Sequence, residues 1–287
     1  MTMGRYVLVG YDGSEESEHA LRWGVEEARL RELPLEVVHA WRWPYPIDYI
    51  DYEGSATLKR VGQHLLDHGV ELALRAEPTV PVSKHLMNGP AHVALNHACR
   101  DAELAVVGSH GRGELSLGST ALRLPARSTC PVVVVRNAAA RNGLVVAGVD
   151  GSPGGEAALA FAFRQAALRG WSLLAVHGCW EPSAVPEADL ALFSEQEKLL
   201  RMCETRLKRA VEPWRIRYPE VQAATSVPML PPREALFEAA DDADLIVVGN
   251  RGMGGFDPLL LGATSGALLQ HAPCAVAIVQ PEADHDR

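Results

Sequence analysis

Two glycine clusters, one in each half of the chain, have the spacing of loops that cradle phosphate. The second reads Gly249-Asn250-Arg251-Gly252, nine residues, then Gly262-Ala263-Thr264-Ser265. The first reads Gly108-Ser109-His110-Gly111, six residues, then Gly118-Ser119-Thr120. Glycine lets backbone approach a ligand closely and adopt positive φ. The last glycine of each set opens a helix-like stretch, whose free amides attract anions. Small hydroxyl side chains there add donors or reach a metal. Each half also places an aspartate after a strand-like run, Asp12 in VLVGYDGS and Asp150 in VVAGVDGS. Other chemistries lack their residues. There is no GxxxxGK[ST], hence no phosphate-loop lysine, and no GxGxxG of a dinucleotide site. Asp12, Ser14 and His39 recur as Asp150, Ser152 and His177 but read as turn, cap and core residues, so no catalytic Ser/His/Asp set or carboxylate pair is expected in the halves.

These residues recur in a fixed register. Asp12 matches Asp150 and His39 matches His177, both 138 residues apart. Gly108 matches Gly249 and Gly111 matches Gly252 at 141, then Gly118 matches Gly262 and Cys130 matches Cys274 at 144. Such self-similarity marks a duplication. It predicts two domains, 1–137 and 143–281, joined by a linker at 138–142. Short β-branched runs alternate with amphipathic stretches, the pattern of βα units with a parallel sheet. Strands are expected at 6–10, 35–39, 82–86, 104–107 and 132–135. In the second half they are expected at 144–149, 172–177, 221–227, 245–248 and 275–279. Ser14 and Ser152 should cap the first helix of each half, with Pro153 at a first helical position. Right-handed crossovers favour the strand order 3-2-1-4-5, an α/β doubly wound domain in each half. Ligands bind such sheets where the order switches, at the carboxyl ends of strands 1 and 4. Asp12 and Gly108, and Asp150 and Gly249, fall there.

Composition narrows the partners. With 287 residues, 47% of them hydrophobic, two domains can each bury a core. A net charge of −9 argues against a general nucleic-acid binder but allows a nucleotide held by backbone amides. No apolar run approaches a membrane span, and Met1–Arg5 leads straight into a strand, so no secretory leader is expected. Five cysteines without a CxxC pair suit reduced thiols in a cytoplasm.

The G-x-x-G-x9-G pattern followed by small hydroxyl residues, with VxxDGS and valine-rich final strands in both halves, resembles the universal stress protein family of the ATP-binding type. The resemblance covers almost the whole chain. It implies a nucleotide-binding regulatory protein of the stress response that takes ATP with Mg2+. By it, Asp150 and the backbone near Gly178 would meet adenine, Gly249 would lie by the ribose, and Gly252, Gly262, Ala263 and Thr264 would surround the phosphates. The first-half counterparts are Asp12, Ala40, Gly108, Gly111, Gly118, Ser119 and Thr120. The halves depart from the pattern differently: the first loop lacks three residues, and the second has Ala263 where the family favours Ser or Thr. A homodimer and an unidentified regulatory protein are further partners to consider.

Single residues admit plainer readings. Asp12 and Asp150 are as well suited to a turn before the capped helices as to adenine contact, and both roles are compatible. His39 and His177 are expected in the core. His110 and its equivalent Arg251 sit inside the loops, where ligand contact is expected, but their mismatch argues against catalysis. The aromatic run Trp41, Trp43, Tyr45, Tyr49, Tyr52 is read as packing, and 195–211 as a solvated helix. Two alternatives to the regulatory reading stay open: a slow ATP-hydrolysing or ATP-dependent transfer enzyme, and an interaction scaffold with degenerate sites.

Overall fold

The computed structural model of the chain describes residues 5–43, 51–111, 117–136, 142–179, 190–252 and 260–281, with backbone only at 190–195. The chain divides into two compact units, Met1–Asn137 and Ala138–Arg287. The first unit runs β1 (Tyr6–Gly10), α1 (Glu15–Arg31), β2 (Leu35–Trp41), α2 (Tyr52–Ala76), β3 (Val82–Asn88), α3 (Ala91–Ala98), β4 (Ala102–Gly108), α4 (Ser119–Arg127), β5 (Val132–Val135). The second runs β6 (Leu144–Gly148), α5 (Pro153–Arg169), β7 (Ser172–Val176), α6 (Leu190–Arg217), β8 (Ala223–Ser226), α7 (Pro232–Ala240), β9 (Leu245–Gly249), α8 (Ala263–His271), β10 (Ala275–Val279).

Parallel pairing gives the order β3-β2-β1-β4-β5 in the first unit. The second unit repeats it as β8-β7-β6-β9-β10. In each unit the sheet is therefore doubly wound, with its switch point between the first and fourth strands. In the first unit α1 and α2 pack together on the sheet, and α3 pairs with α4. The central strands are apolar and nearly inaccessible, Val7, Leu8 and Val9 in β1 and Val145, Val146 and Ala147 in β6, as strands covered on both faces must be. The outer strands β3 and β8 carry polar residues instead.

The first helices start where the serines predict. Ser14 Oγ accepts from Ser17 N at 3.2 Å, and Ser152 Oγ from Gly155 N at 3.1 Å, with Pro153 at a first helical position. Both helices end in a left-handed residue 138 positions apart, Glu32 at φ 55° and Gly170 at φ 66°. The first unit thus holds a glutamate where the second uses glycine.

Several elements differ from the sequence expectation. β2, β3 and β4 run one or two residues further at one or both ends, because edge-polar residues such as Asn88 still pair along the ladder. β8 is shorter than 221–227, since Pro228 and the turn before α7 cut it off. The helix across 195–211 is not wholly solvated: Leu207 and Val211 are buried, though Met202 is exposed. Of the aromatic run, Trp43 is half-buried near the start of α2 and Tyr52 is exposed. Tyr45 and Tyr49, and linker positions 138–141, lie outside the described residues. No helix among the described residues is long and apolar enough to cross a membrane. All five cysteines are free thiols.

Candidate functional site

Each unit has a cavity at the carboxyl ends of its first and fourth strands. In the first unit it is about 270 Å³ and is lined by Asp12, Ala40, Gly108, His110, Gly111, Gly118, Ser119 and Thr120. In the second it is about 480 Å³ and is lined by Asp150, Gly178, Gly249, Arg251, Gly252, Gly262, Ala263 and Thr264. The topology thus gathers all sixteen sequence-derived residues into two equivalent places. The second volume lies within the usual range for small-molecule sites, roughly 300–1,000 Å³.

The aspartates anchor the turn before the first helix. Asp12 Oδ1 accepts from Ser14 N at 3.0 Å and Ser14 Oγ at 2.5 Å. Asp150 Oδ1 accepts from Ser152 N at 2.9 Å and Ser152 Oγ at 2.5 Å. The turn and the cavity wall are therefore one structure. Asp150 Oδ2 occupies the space that a side chain at Gly252 would need, which explains that glycine.

The other glycines have distinct causes. A Cβ on Gly249 would lie 2.7 Å from Gly154 C and 2.8 Å from Gly154 Cα, so Gly249 brings α5 against the end of β9. Gly108 does the same beneath Glu16 of α1. At Gly178 a Cβ would stand 2.5 Å from Pro232 Cα, the start of α7. Gly262 is different: φ is −59° and its nearest neighbours would be 3.4 Å away, so glycine there leaves space open rather than relieving a clash.

Helix starts separate into two kinds. α1 and α5 carry serine caps, whereas α4 and α8 begin at Gly118 and Gly262 with no side-chain cap. The first amides of a helix lack intrahelical partners and carry positive potential. In α4 and α8 that uncapped turn borders the cavity. Gly118 N donates to Ser109 O at 2.8 Å and Gly262 N to Asn250 O at 2.9 Å, so each helix start is tied to the loop after its fourth strand. Ser265 Oγ adds a 2.7 Å bond to Gly249 O, whereas its counterpart in the first unit is Ala121.

The sequence reading missed the apolar wall. Ala91 and Leu95 of α3, and Pro232 and Leu236 of α7, line the two cavities at the same 141-residue offset. Gly10 and Gly148 admit those leucines, since a Cβ would stand 2.9 Å from Leu95 Cδ1 and 3.1 Å from Leu236 Cδ1 respectively. The 138-residue register aligned Gly10 with Gly148 and was the available signal. His39 and His177 are not core residues as expected: both are half-buried and line the cavities. Their Nδ1 atoms lie 2.8 Å from Tyr11 O and 2.7 Å from Val149 O, joining the second strand to the first at the cavity floor.

The model of the universal stress protein family matches residues 3–136 and again 143–280. The chain belongs to that family. Universal stress proteins of Mycobacterium tuberculosis and Mycobacterium bovis are each 34% identical to it over 292 residues, with 96% of both chains covered. One from Mycolicibacterium smegmatis is 32% identical over 289 residues, covering 96% of this chain and 97% of its own. A solved universal stress protein of Archaeoglobus fulgidus has a TM-score of 0.72 at 18% identity and covers 99% of both chains, a likeness of fold. The repeat read from the sequence is thus a tandem pair of universal stress protein domains.

Proposed function

We propose that this chain binds adenine nucleotides in its two cavities, ATP in the second, and that occupancy regulates a partner in a stress response. The observation that carries the reading is the pairing of an uncapped helix start with an apolar slot in one cavity. Leu236, Val176 and Val248 offer apolar surface to a flat base. In the same cavity lining, the first turn of α8 and the Thr264 hydroxyl supply donors for phosphate. The preference for adenine comes from the family resemblance. Among the described residues no cluster of three or more His, Cys, Asp or Glu side chains could hold a metal. Mg2+ would enter chelated to the phosphates, with Asp150 and Thr264 of the same cavity lining as candidate oxygen donors.

Binding rather than turnover fits the residues at hand. His110 and Arg251 differ at equivalent loop positions, and the acids and bases that the cavities do share are held by the fold, Asp12 and Asp150 by Ser14 and Ser152, His39 and His177 at Tyr11 O and Val149 O. Calorimetric titration of the full chain with ATP, and with GTP for comparison, tests the proposal. Saturable ATP binding is expected, weakened by Leu236→Glu, which places a charge against the base. An absence of binding at millimolar ATP would leave the scaffold reading in its place.

A further inference from the structure

The two cavities differ at the end where phosphates would lie. In the first, both ring nitrogens of His110 are engaged: Ser109 Oγ is 3.0 Å from Nδ1 and Glu16 Oε1 is 3.0 Å from Nε2. One neutral tautomer satisfies both contacts, with the serine hydroxyl donating to Nδ1 and the Nε2 hydrogen going to the carboxylate. Glu16 therefore holds its negative charge one hydrogen bond behind the cavity wall. In the second domain the equivalent positions are Arg251 and Gly154, at offsets of 141 and 138. Arg251 lines the cavity, and among the described residues no carboxylate is in ion-pair range of it. Asp12 and Glu16 give the first site −2, whereas Asp150 and Arg251 sum to zero. The first cavity is also the smaller, about 270 against 480 Å³.

We infer that the two sites divide adenine nucleotides by phosphate length, the first taking a nucleotide with one phosphate and the second a triphosphate. This rests on the nucleotide binding proposed above. Each added phosphate brings negative charge toward the Glu16 carboxylate in one site and toward a guanidinium in the other. A guanidinium also presents a planar fork of donors suited to phosphate, which a carboxylate-paired histidine does not. With opposed preferences, the chain responds to the ratio of triphosphate to monophosphate rather than to either alone.

The test is native mass spectrometry with competition titrations of ATP and AMP on the full chain. ATP should fill one equivalent tightly and the other at least tenfold more weakly, and AMP should fill that second equivalent in ATP-loaded protein. The double variant Glu16→Gln/His110→Arg should close the gap between the two ATP affinities by tenfold or more. Arg251→Ala, which leaves the first cavity unchanged, should instead weaken the tight equivalent. Thermal melting shows that each variant is folded, and Glu16→Gln alone supplies a milder change that moves the gap in the same direction. Two ATP equivalents of equal affinity in the unaltered chain, or a gap that neither first-site variant moves, would overturn the division while leaving nucleotide binding in place. If neither AMP nor ATP binds at all, the proposed function itself falls.

Discussion

Replacing Gly262 by valine separates folding from binding. Gly262 caps α8 at φ −59° and ψ 151°, a conformation that valine adopts readily. Its Cβ would lie 3.4 Å from Arg251 Cα, 3.6 Å from Asn250 O and 3.7 Å from Gly252 N, ordinary contacts that demand no rearrangement. The Gly262 N to Asn250 O bond needs no side chain and survives. Stability should therefore change by less than about 1 kcal/mol, in line with substitutions that create neither cavity nor strain. The two γ-carbons, however, add bulk at the helix start beside the glycine loop, where phosphate would approach. A hydrogen bond to a charged group contributes about 1.5–3 kcal/mol. Loss of one such contact weakens ATP binding by roughly tenfold to a hundredfold, at about 1.4 kcal/mol per factor of ten. Calorimetry on Gly262→Val and on Gly118→Val, both checked by denaturant unfolding, measures the contrast. The second domain has the nine-residue loop and should dominate ATP affinity. Intact ATP binding in folded Gly262→Val, with binding abolished in Gly118→Val, would refute the reasoning and reverse the choice of domain.

Four further outcomes follow from named contacts. Gly249→Ala places a methyl within 2.9 Å of three backbone atoms of Gly154, and overpacking of this kind costs about 1–3 kcal/mol; an unchanged urea midpoint would contradict it. Glu32→Gly should stabilise the first domain by about 1 kcal/mol, because the left-handed cap costs a non-glycine residue about that much; a lower midpoint would refute the strain. Burial, then the charges of Glu36 and Asp101, push the Tyr6 phenol from 10.0 up to about 12. Its neutral form is favoured in the fold, so that contribution is complete below pH 10 and is lost as pH rises from 10 to about 12; Tyr6→Phe should flatten this part of the pH–stability curve, and an identical slope in both proteins would count against it. Multiple-turnover phosphate release from ATP should stay far below the ordinary enzymatic rate of about 10 per second; a rate near that value would reinstate the enzyme reading.

How much was legible beforehand follows from which signals are local. Strand order and the duplication were readable because the buried strands are continuous apolar runs and the 138-residue register carries through a strand, a helix and a second strand. The serine caps were readable because capping is set by a few adjacent residues. The glycines read from the sequence line the two cavities, but several of their structural causes were not visible. Gly249 faces Gly154 and Gly178 faces Pro232, contacts between residues 95 and 54 apart in sequence. The leucine walls from α3 and α7 escaped notice because Leu95 and Leu236 resemble any core residue until the fold turns them to the cavity. The same limit misplaced His39 and His177, whose apolar neighbours in sequence suggested the core, although the strand ends carry them to the cavity floor. The Glu16–His110 contact joins residues 94 apart and has no counterpart in the second domain, so the repeat pattern did not disclose it.

The most direct test of the central claim is a crystal structure of the full chain grown with saturating ATP. The account predicts a nucleotide in the second domain with its base against Leu236 and Val176 and its phosphates at the amides of Ala263 and Thr264, within reach of Arg251. A nucleotide bound elsewhere on the chain, or a second-domain cavity left empty at saturation, would contradict it.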